Sequence, residues 1–283
     1  MLCKLSSIKL STFSIFLRFH VFCQVSKMID LDNKVALITG ASDGIGAATA
    51  LLFSSLGAKV AIVGLEQDDL DKVASECEAN SPHNYKPVTI KADFMNDDDI
   101  KRTFEETINA YSRLDILVNN AGVINKKRFG DSDIVVDYDR VMQVNIRTAI
   151  ILTDLAKPYL IESKGAIVNI SSVNSFKATD VHWAYCISKA AVNMFTQAMA
   201  SLLAPDVRVN AIAPGPVKTG IIKSMGDPDK IWDALAQKMA LKRVAEPIEM
   251  ARLVALLASD AAKNMTGTII TSDSGYLLGD PYR

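Results

Sequence analysis

The sequence predicts a doubly wound α/β fold, one parallel sheet with helices on both faces, built as a single domain over residues 30–283. Three observations carry this. Short apolar runs alternate with longer amphipathic segments from Asn33 onward, the strand–helix alternation of a parallel sheet with crossover helices. The runs are apolar at almost every position rather than at every second one, so the strands are buried on both faces. No Pro/Ser-rich linker, internal repeat or low-complexity tract divides the stretch.

Taken in order, Val35-Ala-Leu-Ile-Thr39 reads as the first buried strand, and residues 45–56 as a helix that Gly57 ends. Lys59-Val-Ala-Ile-Val63 is a second strand, followed by a helix over 68–79. A third strand over 88–92 and a helix over 98–110 come next. Leu114-Asp-Ile-Leu-Val-Asn119 is a fourth strand. The apolar periodicity of 136–161 predicts one long helix with Pro158 near its end. A strand over 166–171, a helix over about 184–203, a strand over 208–212, a helix over 249–257 and a last strand over 268–271 complete the chain.

The bulk properties exclude several classes. At 283 residues, 49% hydrophobic and 22% charged, the chain has an ordinary globular composition. A net charge of −1 and no long basic run argue against a nucleic-acid or anionic-membrane partner. No uninterrupted apolar run approaches the roughly 18 residues of a membrane span. Cys3, Cys23, Cys77 and Cys186 show no C-x-x-C spacing, which fits a reducing compartment. With three histidines and no His/Cys cluster, no metal site is expected. Residues 1–29 stand apart as an N-terminal extension: they carry Lys4, Lys9, Arg18 and Lys27, five serines and no acid before Asp30. This is the composition of a mitochondrial transit peptide, though poor in arginine; Arg18 and His20 break the apolar stretch that a secretory signal needs. The alternative is a disordered or untranslated extension with Met28 as the working start. A cytoplasmic location is therefore expected, or the mitochondrial matrix if the extension targets the chain.

Two patterns carry chemistry. Gly40-x-x-x-Gly44-x-Gly46 joins the first strand to the first helix. Glycines there let the backbone approach a pyrophosphate, and the helix N-terminus offers unpaired N–H groups and a positive dipole end. The same cluster also reads as a plain tight turn; its place between the first strand and helix favours a dinucleotide site. Tyr185-x-x-x-Lys189 is a weak signal alone, but residues four apart share a helix face. A cation about 5 Å from the phenol, at an effective dielectric near 20, is worth roughly 3 kcal/mol, or about two pKa units, with burial opposing part of that. An oxidised nicotinamide would add a second positive charge, so Tyr185 is expected to serve as an acid/base near neutral pH.

With these motifs in this order, the sequence resembles the short-chain dehydrogenase/reductase family from about Asp30 to the C-terminus. Thr39-Gly40-Ala-Ser42-Asp43-Gly44-Ile45-Gly46 matches the family's cofactor turn, and Asp93 its adenine-contacting acid. Asn119-Asn120-Ala121-Gly122 matches the segment after strand four. Asn145 matches the catalytic asparagine, and Ser172, 13 positions before Tyr185, the catalytic serine. Asn210-Ala-Ile-Ala-Pro214-Gly215-Pro-Val217-x-Thr219 matches the nicotinamide-side loop. The resemblance implies a Rossmann-like domain and an NAD(P)-dependent oxidoreductase that interconverts a secondary alcohol and a ketone or acyl carbonyl. It implies that Tyr185 moves the proton, Ser172 binds the substrate oxygen, Lys189 lowers the tyrosine pKa and holds the nicotinamide ribose, and Asn145 positions a water. Taken singly, these four also read as a capping serine, a surface ion pair and a kink-stabilising asparagine. A non-catalytic dinucleotide sensor or scaffold on the same fold is the alternative; it need not keep all four.

Departures from the family pattern bear on specificity. At the end of strand two, Gly64 and Leu65 occupy the places of an NAD-selecting acid and an NADP-selecting base. Glu66 and Asp43 nearby would repel a 2′-phosphate, so NAD is slightly favoured over NADP. Asp273-Ser274-Gly275 replaces Asp-Gly-Gly and is expected to alter only a turn. Lys126-Lys127-Arg128 is either a solvated loop or a receiver for an acidic carrier such as an acyl carrier protein or coenzyme A. Residues 216–242, with Met225, Trp232 and Met239, form the family's variable substrate lid; their apolar groups either line a pocket or form one face of a short helix. The apolar helices over 136–161 and 184–203 predict a homodimer or homotetramer, since in the family such helices meet across a two-fold axis.

Overall fold

The computed structural model describes residues 29–220 and 228–279; Met225 and nearly all of the N-terminal extension lie outside them. Seven strands, β1 (Val35–Thr39), β2 (Lys59–Gly64), β3 (Val88–Lys91), β4 (Ile116–Asn119), β5 (Ala166–Ile170), β6 (Arg208–Pro214) and β7 (Ile269–Ser272), form one sheet in the order β3-β2-β1-β4-β5-β6-β7. Every pairing is parallel. The apolar runs have a simple cause. Ala36 and Ile38 of β1 enter one core with α1 (Gly44–Ser55), α2 (Gln67–Asn80) and a late helix over Pro247–Ala258. Val35 and Leu37 enter the opposite core, with α3 (Asp97–Tyr111) and two further helices. Because both faces are covered, each strand must be apolar at successive positions. Strand order reverses beside β1, whose neighbours are β2 and β4, and the crevice beyond the carboxyl ends of β1 and β4 is where such sheets bind ligands.

Ile29, which the sequence leaves in the extension, packs against the first core, and Leu31 is buried in it. The long helix forms as expected, with one local departure. It runs without interruption as α4 (Ile134–Met142), a π-turn over Gln143–Arg147 and α5 (Thr148–Ser163), and continues through Pro158. Two side chains bond at the π-turn. The Asn145 amide turns away to take both backbone atoms of Val123, at 2.8 and 2.9 Å, and the Thr148 hydroxyl donates to the Gln143 carbonyl at 3.0 Å. The remaining helices are α6 (Trp183–Leu203), α7 (Pro228–Lys238) and α8 (Pro247–Ala258). In the segment read as a lid, α7 turns Trp232 into a small apolar cluster with Val244, and Met239, just past the helix end, is buried. Ser274 takes φ +52°, which glycine would adopt without strain, and the Asp273 carboxylate holds this turn through the amides of Gly275 and Leu277 at 2.8 Å each.

Candidate active site

The glycine turn sits at the carboxyl end of β1, in the crevice. Gly40 has φ +62° and Gly44 φ +58°, and a Cβ on Gly46 would lie 2.2 Å from the Gly40 carbonyl oxygen. No side chain fits at Gly46, and the turn delivers the chain straight into the N-terminus of α1, which Asp43 caps by accepting from Gly44 N at 2.6 Å. This cradle fits a pyrophosphate. Ile45 packs against the core beneath it. Ser42 abuts the end of β2, where a Cβ on Gly64 would meet its Oγ at 2.9 Å, and Leu65 beyond it is exposed. Asp93 is exposed beyond β3, two strands from β1, with Oδ1 on the amide of Met95 at 3.0 Å.

The segment after β4 is fastened to this turn. Asn120 Nδ2 donates to the carbonyls of Thr39 and Gly40 at 2.8 and 2.9 Å, and Thr39 Oγ1 accepts from the amides of Asn120 and Ala121 at 3.0 Å each. From the opposite side, the Thr219 methyl stands 2.7 Å from where a Gly44 Cβ would be, while Asp273 backs Gly215. Pro214 closes β6, and Val217 is buried in a bridge to Ala245.

Two of the four proposed catalytic residues, Lys189 and Asn145, meet at Gly122. A Cβ there would lie 3.3 Å from Lys189 Nζ and 3.5 Å from Asn145 Oδ1. Lys189 is 3% exposed, donates to the Ile170 carbonyl at 2.7 Å and places its ammonium 5.5 Å from the centre of the Tyr185 ring. Asn145 also donates to Ser188 Oγ at 2.9 Å, and Ser188 donates to the Tyr185 carbonyl at 2.8 Å. Asn145 therefore lies in the π-turn and joins the cluster. Ser172, at the end of β5, caps the short turn after it through Asn174 N at 3.1 Å.

The electrostatics correct one expectation. Burial pushes Tyr185 up to about 12, against the downward pull of its hydrogen bond with Ser172. Burial also pushes Lys189 down to about 8. The sequence predicts a phenol drawn towards neutrality by Lys189 together with an oxidised nicotinamide, with burial opposing; among the described residues desolvation outweighs the pull of the Ser172 hydrogen bond. Tyr185 is thus protonated at neutral pH.

The comparisons with known proteins bear on this arrangement. A family model described as enoyl-(acyl carrier protein) reductase matches residues 40–277. A 3-oxoacyl-[acyl-carrier-protein] reductase of Thermotoga maritima is 35% identical over 253 residues, spanning 88% of this chain and 99% of the relative. A meso-2,3-butanediol dehydrogenase of Serratia marcescens is 35% identical, over 88% of this chain and 96% of its own. A cofactor-bound short-chain dehydrogenase/reductase of unknown function from Caenorhabditis elegans superposes with a TM-score of 0.82 at 30% identity, covering 89% of this chain and 98% of that one. The chain belongs to the short-chain dehydrogenase/reductase family. As a short-chain dehydrogenase/reductase it is an NAD(P)-dependent oxidoreductase acting on alcohol and carbonyl groups.

Other supporting residues of this short-chain dehydrogenase/reductase carried no sequence signal of a role. Ser188 links Asn145 to the tyrosine backbone, and Asn193 holds the segment around Ser172 by donating to Ser175 Oγ at 2.7 Å while accepting from Ser171 Oγ at 2.6 Å. A lone serine or asparagine on a helix acquires such a role only when the sheet brings its partner near. Among the described residues, no helix is long and apolar enough to cross a membrane.

Proposed function

We propose that the enzyme interconverts a secondary alcohol and a ketone, with Tyr185 as the proton-transfer residue. The observation that carries this is the buried Lys189 ammonium, held 5.5 Å from the Tyr185 ring with no carboxylate paired to it among the described residues. A cation left in that state is a functional arrangement rather than a stabilising one. A bound dinucleotide would supply or accept the hydride; Gly40, Gly44 and Gly46 would admit its pyrophosphate, Asp93 would contact its adenine, and Pro214, Gly215, Val217 and Thr219 would hold its nicotinamide end. In reduction, Ser172 donates a hydrogen bond to the carbonyl oxygen, and the neutral phenol of Tyr185 delivers its proton there as negative charge develops. Lys189 stabilises the phenolate left behind. Asn145 holds the loop over Lys189 and orients the water that returns the proton. The test is a panel of ketones and secondary alcohols with each cofactor, followed by the absorbance of reduced nicotinamide; no turnover across the panel rejects the reading.

For the cofactor, the reading favours NAD. Leu65 offers no cation to a 2′-phosphate, and the Asp43 carboxylate stands at the turn. Leu65→Arg is expected to lower the NAD:NADP ratio of kcat/KM by at least about tenfold, since a hydrogen bond to a charged group contributes about 1.5–3 kcal/mol. A parent that strongly prefers NADP would contradict the assignment.

The enzyme is also proposed to assemble as a homodimer or homotetramer. Ile150 and Ile161 on α5, with Ile187, Met194 and Leu202 on α6, are large apolar groups left exposed along two helices, a stripe that a two-fold partner would cover. Light scattering at micromolar concentration should report a dimer or larger; a monomer rejects it. A cytoplasmic setting is the proposed location, or the mitochondrial matrix should residues 1–29 target the chain, and residues 216–242 are proposed as the substrate lid.

A further inference from the structure

We propose that Asn125 is a positioning residue for the catalytic tyrosine, capping the first turn of α6 from the loop that follows β4. The proposal rests on Tyr185 being the proton-transfer residue. The first amides of a helix have no partner within it, and α6 has no local remedy: His182 stands at its N-cap position without a side-chain cap. Tyr185 is the third residue of α6, so its own N–H is one of these orphans. Asn125 supplies the acceptor from 60 residues away, with Oδ1 at 3.3 Å from Tyr185 N. Its Nδ2 donates to the carbonyls of Lys127 at 2.9 Å and Val181 at 2.8 Å. One side chain, 6% exposed, thereby ties the loop to the entry of α6 and to the backbone of the reacting residue.

The loop is in turn held from α4. Asp137, 7% exposed, accepts the amides of Lys126 and Lys127 on Oδ2 at 2.6 and 2.7 Å. Its Oδ1 takes Arg140 Nη2 at 2.8 Å, and that same guanidinium nitrogen donates to the Ile124 carbonyl at 2.7 Å. Trp183, two residues before the tyrosine, donates to the Lys127 carbonyl at 3.3 Å and stacks on Tyr138 with an interplanar angle of 6°. Asn145 holds Val123 immediately upstream. The backbone of Val123, Ile124, Lys126 and Lys127 and the side chain of Asn125 are therefore bonded to a catalytic residue, to α4 or to the start of α6. The loop runs from the glycine cradle through Gly122, over Lys189, to the tyrosine amide, so it sets the phenol's place relative to the other catalytic groups. The Lys126-Lys127 pair, read in the sequence for its charge, contributes here through its backbone.

A positioning role differs from a packing role in what it moves. Proton and hydride transfer tolerate displacements well under an ångström, and a misplacement of about 1 Å lowers turnover roughly 100-fold, whereas fold stability is far more forgiving. The experiment compares the full chain with Asn125→Ala, Asp137→Asn and the double variant on a substrate that the parent turns over. It measures kcat per cofactor-binding site, cofactor Kd, substrate KM, Tm and the pH profile of kcat. The expected result is a fall in kcat of roughly 10- to 100-fold in each single variant, with Kd and KM near parent values and the pH profile displaced. The double variant should be little worse than the worse single, because both changes loosen one loop. Retention of kcat per binding site in Asn125→Ala overturns the proposal, as does a loss that tracks only the folded fraction with an unmoved pH profile, or additive losses in the double variant. Should Asn125→Ala fail to fold, Asp137→Asn decides by the same readouts. A parent inactive on the whole substrate panel rejects the functional reading; an active parent with an indifferent Asn125 rejects only the positioning role.

Discussion

Tyr185→Phe is expected to lower kcat by several orders of magnitude while fold and cofactor affinity stay near the parent. The change removes one oxygen and leaves the ring where it packs. That oxygen is the proton donor, and general acid–base catalysis contributes about 10²–10⁴ in rate; loss of a hydrogen bond to the developing oxyanion adds about 10²–10³ more. Burial pushes the phenol up to about 12, so the acid form predominates at neutral pH and carbonyl reduction needs no prior ionisation. Alcohol oxidation needs the phenolate, whose fraction grows as pH rises, so oxidation by the parent should accelerate with pH through the neutral and mildly alkaline range. In Tyr185→Phe that dependence should vanish with the activity. Steady-state kinetics in both directions, beside a cofactor titration, make the measurement. Near-parent turnover by the phenylalanine variant would mean that the proton comes from another group.

Much of this site was legible in the sequence, and the illegible part has physical causes. The strands were readable because two cores draw alternate residues from each of them, as Ala36 and Leu37 show by entering opposite clusters. The glycine turn was readable because a Cβ at Gly46 meets backbone 2.2 Å away, a demand that only one residue type satisfies. The π-turn at Gln143–Arg147 was not, since the apolar periodicity runs through it unbroken and the contact that Asn145 makes there is with Val123, 22 residues upstream. Nor was the direction of the tyrosine shift readable. The spacing of Tyr185 and Lys189 shows that a cation stands near the phenol, but desolvation depends on what the rest of the chain packs over both. Asn125 is one polar residue in a loop, and its importance appears only when the amide of Tyr185 arrives 60 residues later.

Lys189→Met should abolish most turnover and weaken cofactor binding, yet melt no lower than the parent at pH 7. The lysine is 3% exposed, and the partner it holds is the Ile170 carbonyl at 2.7 Å. Burial pushes its ammonium from 10.5 down to about 8. A depressed pKa on a base means that the charged form is disfavoured in the folded state. Below about pH 8 the ammonium is charged in both states, and its burial costs the fold roughly 3 kcal/mol. Between about 8 and 10.5 the unfolded chain keeps a proton that the folded protein has released, so the parent gains stability as pH rises. Above that window the penalty is gone. Methionine fills similar volume with no charge to desolvate; it gives up one charge-assisted hydrogen bond, worth about 1.5–3 kcal/mol, which offsets much of the gain. The Tm of the variant relative to the parent should therefore be highest at neutral pH and decline towards pH 10, even as activity is lost at every pH. Activity falls because the phenolate at Tyr185 no longer has a cation beside it, and affinity falls because no ammonium would remain there to hold the cofactor's ribose, the role proposed for Lys189. Paired melting curves from pH 7 to 10 and a cofactor titration test this; a variant that melts well below the parent at pH 7 would show that Lys189 is held for stability rather than for catalysis.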